Sequence, residues 1–498
     1  LSSATPIKDE HATKVSVRNC CLLFGGCLLF HVIGTWSLPL IDRDEPRFAE
    51  ASREMIERSD YIVPRFNNQY RFDKPPLTYW AQIASYKIFG ENDFAARFPS
   101  AIAAALTALS IFVWGSRIGG TRVGWWAAII FTLSLQVFLH AKAAVADMWL
   151  VLFMTLAFWA ACELIFGSPH QTSNIKHQTS RLWRLVFYLS LAFAFLAKGP
   201  IGLIPLLAVA AAKWQDRQLR LGKHFAFARG IVLTLAVISL WAIPAYLQTN
   251  GEFLRVGLGR HVIARSFGAM EGHGGSSLLV YLLLIPFYFI TIFASFFPWS
   301  IKLPWLARRL WATRDKIDMY LAAGSAVVFL VFTLVSTKLP HYTLPAFPLL
   351  SLLLARQLVA NQFPAQRFKT FAIATVAIWI CVATIVPPFV APAFPAKALF
   401  KEARSDLPPE MEFGAVDFNE PSLVWYFRSQ VKGWMTLLNR DTVKPFMEKS
   451  GPRFVVLSTK TLDDVFPNRP LNWKTFSTRG YNVAKGKHVD LTLVLKTN

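Results

Sequence analysis

A mostly α-helical, multi-pass membrane bundle of about 11–13 spans, followed by a small α/β domain, is the fold class this sequence predicts. Three observations carry it. The 498 residues are 54% apolar, and the apolar residues gather in runs long enough to cross a bilayer core. Lys and Arg collect in alternate loops between those runs, as membrane topology requires of cytoplasmic segments. From residue 396 onward the long runs give way to short, alternating ones separated by turn residues.

Taken in order, residues 1–18 form a charged tail and the first span covers 19–40. It has no small-residue cleavage site and reads as a retained helix. Further spans are predicted at 98–117, 123–140, 146–166, 182–197 and 199–214. The series continues at 228–247, 278–299, 318–337, 341–359 and 367–391, so the membrane domain runs over 19–395. The five cysteines all lie in or beside apolar spans, which indicates neither a disulfide framework nor a thiolate metal site.

The first loop, 41–97, is not a simple connector. Asp44 precedes Glu45-Pro46, an N-cap acid with proline in the first turn. Phe48, Ser52, Met55 and Ile56 then recur at helical spacing. A second helix, headed by Pro75-Pro76, runs through Tyr79, Ile83 and Tyr86. Both read as amphipathic helices lying on the membrane, a shelf over the bundle's outer mouth.

The net charge of +22 does not point to nucleic acid. It falls at Arg117 and Arg122, at Lys213 to Arg229, at Lys302 to Lys316 and at Arg356 to Lys369. That alternation sets the N-terminus in the cytoplasm and the first loop outside, with part of the charge facing anionic lipid. Residues 396–498 carry strand-like runs at Glu412–Asp417, Arg453–Ser458 and Asp490–Lys496 and a helical run at Pro421–Arg428. They predict an extracytoplasmic α/β domain.

Polar clusters sit at the outer ends of the spans: Asp44/Glu45/Arg47, Asp73/Lys74, His140/Lys142/Asp147, Lys198-Gly199-Pro200, the loop Arg255 to His273, and Lys338 to Tyr342. Each has an ordinary structural explanation. Asp44 and Asp147 suit helix caps, and Lys198 and Lys338 suit snorkelling to headgroups. Such explanations do not account for the clusters converging on one face, and ionisable groups at membrane depth by default mark function.

Four segments carry a family resemblance: Asp-Glu-Pro-Arg-Phe-Ala-Glu from Asp44, Phe-Asp-Lys-Pro-Pro-Leu-Thr-Tyr-Trp from Phe72, Lys198-Gly199-Pro200, and Lys-Leu-Pro-His-Tyr-Thr-Leu-Pro from Lys338. Together the chain resembles the polyprenyl-phosphate-dependent GT-C glycosyltransferases. Within that group it is most similar to the bacterial aminoarabinose (lipid A) transferases and more distantly to the protein O-mannosyltransferases. The resemblance spans roughly residues 35 to 350. It implies a GT-C bundle acting as a monomer in a bacterial inner membrane. Sugar would move with inversion from a polyprenyl-phosphate donor to a glycolipid or envelope-glycan acceptor on the outer face.

The resemblance also implies roles. Asp44 is the general base, and Asp147 shares or orients that role. Lys74, Arg265, Lys198 and Arg47 hold the donor phosphate, while Glu45, Lys338 and Tyr342 contact donor or substrate. Asp73, His261 and His273 form a candidate zinc set, since relatives can carry a divalent ion beside the lysine motif. Asp73 stands where relatives often have Glu, which shortens its reach. No phosphate-loop or dinucleotide fingerprint is present in the sequence, so no nucleotide cofactor is expected. Two rivals stand beside this reading. One is a protein O-mannosyltransferase; the other is a lipid-linked sugar flippase, disfavoured by the absence of paired repeats.

Overall fold

The structure is a computed structural model and describes residues 15–167, 173–257, 259, 278–312, 315–468 and 470–497. It is mostly helical, and every predicted span contains helix. The helices that position the site are α1 (Val17–Val32), α2 (Asp44–Arg58), α3 (Leu77–Phe89), α4 (Asp93–Gly119), α5 (Thr121–Leu133), α6 (Leu135–His140), α7 (Asp147–Phe166) and α8 (Ser173–Lys198).

Among the described residues seven helices are long and apolar enough to cross a membrane: α4, α7, Ser180–Lys198 within α8, Phe227–Gln248, Lys316–Leu334, Pro340–Ala360 and Ala365–Ala393. Fewer full-length spans therefore appear than the sequence predicted, because several apolar runs are broken or short. The run 19–40 is helical only to Val32. Just beyond it Gly34 has φ +83°, and a side chain there would meet the Ala383 backbone. The run 123–140 breaks at Ser134, which is extended (φ −66°, ψ 133°), and the chain is held there by Leu135 N–H donating to Phe297 O at 2.8 Å. The run 278–299 breaks at Pro286, which heads the helix Phe287–Ser295.

In the first loop, α2 and α3 flank a short hairpin of β1 (Arg65–Phe66) and β2 (Gln69–Tyr70). The apolar face of α2 packs as expected: Phe48 and Met55 meet Tyr79 and Ile83 of α3. Its polar face differs from the expected solvated shelf. Glu50, Arg53 and Glu54 are all buried, covered by the C-terminal domain.

That domain is a five-stranded sheet of β3 (Glu412–Ala415), β4 (Met435–Leu437), β5 (Arg453–Ser458), β6 (Lys474–Asn482) and β7 (Lys487–Lys496), in the order β4-β3-β5-β7-β6. The β3 pairs are parallel, and β7 runs antiparallel to both its neighbours. β4 and β6 and the helices Arg440–Glu448 and Thr459–Val465 add to the elements read from sequence.

The helix Pro421–Phe427 and the turn after it lie on α2, where buried charges are paired rather than solvated. Arg428 bonds Glu50 and Glu57 and lies 3.8 Å from the Trp434 ring centroid. Arg53 pairs with Glu50 at 2.8 Å and donates to Trp425 O at 2.9 Å. Asp93, at the start of α4, accepts from Trp425 Nε1 at 2.9 Å and Tyr426 Oη at 3.1 Å. The first loop is thereby fixed between bundle and sheet, and its N-terminal turn faces a cavity.

Candidate active site

A cavity of about 420 Å³ opens where the first loop, the ends of α7 and α8, the turn Pro340–Ala346 and the C-terminal domain meet. The start of α2 supplies Asp44 and Arg47, one turn apart. The segment between β2 and α3 supplies Arg71, Asp73 and Lys74. Asp147 begins α7, Lys198 ends α8, and the 3-10 turn brings His341 and Tyr342. Proline shapes two of these approaches by fixing φ immediately after the functional lysine or beside it: Pro75-Pro76 follows Lys74, and Pro200 follows Lys198-Gly199, where Gly199 has φ +80°.

Five cations (Arg43, Arg47, Arg71, Lys74, Lys198) and four carboxylates (Asp42, Asp44, Asp73, Asp147) line the cavity. They are not equivalent. Asp147 and Lys198 form a direct ion pair with side chains 9% and 10% exposed, and His341 Nε2 lies 3.9 Å from the same carboxylate oxygen. The Lys198 ammonium also lies 5.3 Å from the Tyr342 ring centroid. Asp73 pairs with Arg71 at 2.9 Å, and Arg71 Nε donates to Tyr79 Oη at 3.1 Å. Asp42 accepts from the backbone N–H of Ser422 at 2.8 Å and from its hydroxyl, and burial pushes its carboxyl up to about 6. Asp44 alone of the four is exposed and has no hydrogen-bond or ion-pair partner among the described residues.

Of the residues singled out from sequence, Asp44, Asp147, Lys74, Lys198, Arg47, Tyr342 and Asp73 meet in this cavity. Arg265, His261 and His273 lie outside the described residues. Two expectations need correction. Glu45 points away from the cavity and is buried; it accepts from Arg97 Nε at 2.8 Å and Nη2 at 2.7 Å, Ala144 N–H at 2.7 Å and Ile41 N–H at 2.8 Å. All its acceptor capacity is spent holding α2 to α4 and to the segment before α7. Lys338 is likewise buried, and its ammonium donates to the carbonyls of Phe332, Thr333 and Val335. It caps the C-terminus of Lys316–Leu334, where cations and orphan carbonyls suit one another.

Sequence reading did not single out Asp42, Arg43 and Arg71, although Asp42 and Arg43 directly precede the first motif and Arg71 directly precedes the second. It also missed Val483 and Ala484, from the β6–β7 turn, which wall the cavity and carry no sequence signal.

Of the expected zinc set only Asp73 falls among the described residues, where it pairs with Arg71. One other group there has metal-like spacing: His140, Asp147 and His341, with ligand atoms within 4.8 Å of one another. It does not fit a divalent ion, because the Lys198 ammonium already neutralises the one carboxylate.

Comparison with known proteins bears on this geometry. A family model described as dolichyl-phosphate-mannose-protein mannosyltransferase matches residues 40–255. An undecaprenyl phosphate-alpha-4-amino-4-deoxy-L-arabinose arabinosyl transferase of Edwardsiella ictaluri is 30% identical over 325 residues, which are 64% of this chain and 56% of the relative. One from Sodalis glossinidius is 31% identical over 61% of this chain and 53% of its own length. The chain thus spans little more than half the length of these curated relatives. The crystal structure of ArnT from Cupriavidus metallidurans bound to undecaprenyl phosphate superimposes with a TM-score of 0.75 at 19% identity, covering 96% of this chain and 98% of that one. The chain has the ArnT-type GT-C fold, and it is a multi-pass membrane protein.

Proposed function

For a chain of the GT-C superfamily, ArnT-like in fold and related in sequence to the aminoarabinose transferases, we propose an integral-membrane glycosyltransferase. It transfers a sugar from a polyprenyl-phosphate donor to the hydroxyl of a glycolipid or other envelope-glycan acceptor. The observation that carries this reading is one cavity holding a carboxylate, Asp44, that is exposed and unpaired among the described residues, beside Arg47, Lys74, Lys198 and Tyr342.

The reaction is a single displacement. The acceptor oxygen attacks the anomeric carbon, the bond from that carbon to the phosphate oxygen breaks, and the carrier leaves as polyprenyl phosphate. Asp44 takes the acceptor's proton, as a general base must reach it without a competing partner. The leaving phosphate gains a negative charge, and Lys74, Arg47 and Lys198 offset it in a site partly closed to water. Asp147 acts through Lys198, which it fixes against Tyr342, and is a positioning residue.

The cavity lies on the extracytoplasmic side in this reading. The basic stretches at Arg117–Arg122, Lys213–Arg229 and Arg356–Lys369 sit at the opposite ends of the helices that deliver Asp147 and Lys198, in keeping with cytoplasmic placement.

The mannosyltransferase family match over residues 40–255 favours one second reading, in which the acceptor hydroxyl belongs to a polypeptide Ser or Thr. Purified protein in nanodiscs, given radiolabelled polyprenyl-phosphate sugars with lipid A, glycan and peptide acceptors, separates the two. Label on lipid A or glycan is the expected result, and label on peptide alone selects the second reading. Labelled lipid crossing reconstituted vesicles with no transfer overturns both.

A further inference from the structure

Apart from the cavity, a second hollow of about 630 Å³ runs along the outside of the bundle. It lies between α1, α5 and the helix Ala365–Val390. These three helices run parallel. Near the starts of α5 and Ala365–Val390, Trp126 stacks on Phe368 with ring centroids 4.2 Å apart, and at the far end of α5 Leu133 O accepts from Trp379 Nε1 at 2.9 Å. The groove is almost wholly apolar. A Cβ added at Gly25 or Gly26 would meet nothing within 4 Å, so the glycines of α1 leave it open rather than let a neighbour close it.

Its charge is confined to one end and repeats on all three helices. Leu22, Trp126 and Ile373 line the groove, and a cation stands four residues before each, at Arg18, Arg122 and Lys369. Positions i and i+4 share a helix face, so all three cations stand over the groove's mouth. Arg122 lies 6.0 Å from the Trp126 ring centroid, and Lys369 itself lines the groove. All three side chains are exposed, and none has an ion-pair partner among the described residues. Three exposed cations, unpaired among the described residues, above an apolar hollow complement a ligand with an anionic head and apolar tails.

We infer that this groove is a binding site for an anionic glycerophospholipid, its phosphate among Arg18, Arg122 and Lys369 and an acyl chain running past Gly26. The site is separate from the proposed donor and acceptor cavity and does not depend on the proposed transferase activity. A zwitterionic lipid would fill the same hollow but gain little from the three cations, each of which adds to the hold on an anionic head.

Native mass spectrometry of the detergent-purified chain tests it, with phosphatidylglycerol and phosphatidylcholine of identical acyl chains. The wild-type chain should retain phosphatidylglycerol at least about tenfold more tightly. Arg18→Gln/Arg122→Gln/Lys369→Gln should abolish that preference, and Gly26→Leu, which fills open space, should weaken retention of both lipids. Equal retention of the two lipids by wild type overturns the inference. So does a preference that survives the triple substitution, or retention of both lipids that Gly26→Leu leaves untouched. Both variants lie outside the catalytic cavity, so an unchanged thermal midpoint reports that each has folded.

Discussion

The ammonium of Lys198, the last residue of α8, is bonded to the carboxylate of Asp147, the first residue of α7, and both side chains are about nine-tenths closed to solvent. The pair joins two membrane helices at the rim of the cavity and aims a cation at Tyr342. Removing one partner of a buried pair leaves the other charge uncompensated. Asp147→Ala should therefore lose about 3–5 kcal/mol of stability. Asp147→Ala/Lys198→Met should recover most of that loss without recovering sugar transfer. Thermal unfolding in detergent reads the first effect, and an Asp147→Ala midpoint equal to wild type contradicts it.

Lys74 is expected to act on the donor. In Lys74→Ala the apparent affinity for the polyprenyl-phosphate sugar should fall about tenfold or more, the scale of a charged hydrogen bond. Acceptor affinity should hold. Donor and acceptor titrations of initial rate measure the split, and an unchanged donor constant removes Lys74 from the phosphate site.

The contact between α2 and the C-terminal domain should be pH-sensitive. Burial, with the Glu50 charge adding, pushes the Glu54 carboxyl up to about 7, and burial takes Asp42 to about 6. Unfolded, both release their protons near pH 4. Between about pH 4 and these raised values the folded chain binds more protons, so stability falls as pH rises through that window. Glu54→Gln removes one of these titrations and should flatten the decline of the unfolding midpoint between about pH 5 and 7. An identical slope in variant and wild type rejects the assignment.

Arg428 holds the C-terminal domain to α2 through Glu50 and Glu57. Arg428→Ala strands buried acids and should cost about 3–5 kcal/mol. It should also raise amide hydrogen exchange selectively in α2 and in Pro421–Phe427. Exchange that is unchanged in both segments contradicts this.

Much of the cavity was legible in the sequence because its residues sit in short motifs whose neighbours fix the backbone. Lys74 stands before Pro75-Pro76, Lys198 before Gly199-Pro200, and Asp44 at a helix start. What failed was partner choice. Glu45 adjoins Asp44 in sequence, yet on a helix adjacent residues face different ways, and its partner Arg97 is 52 positions away. Lys338 shares a motif with Tyr342 but folds back onto the helix end before it. The polar face of α2 read as solvated because its covering, Trp425 and Arg428, lies more than 370 residues downstream. Hydropathy likewise reports how apolar a run is and not whether Ser134 or Pro286 interrupts its helix.

The account turns on Asp44 as the base, and single-turnover transfer by Asp44→Asn tests it most directly, with binding of the labelled donor followed in the same samples. Asp44 is exposed and unpaired among the described residues, so the substitution should change stability by no more than about 0.5 kcal/mol and leave donor binding near wild type. Transfer should fall by about 10²–10⁴-fold. Transfer at the wild-type rate by a folded, donor-bound Asp44→Asn enzyme would contradict the account.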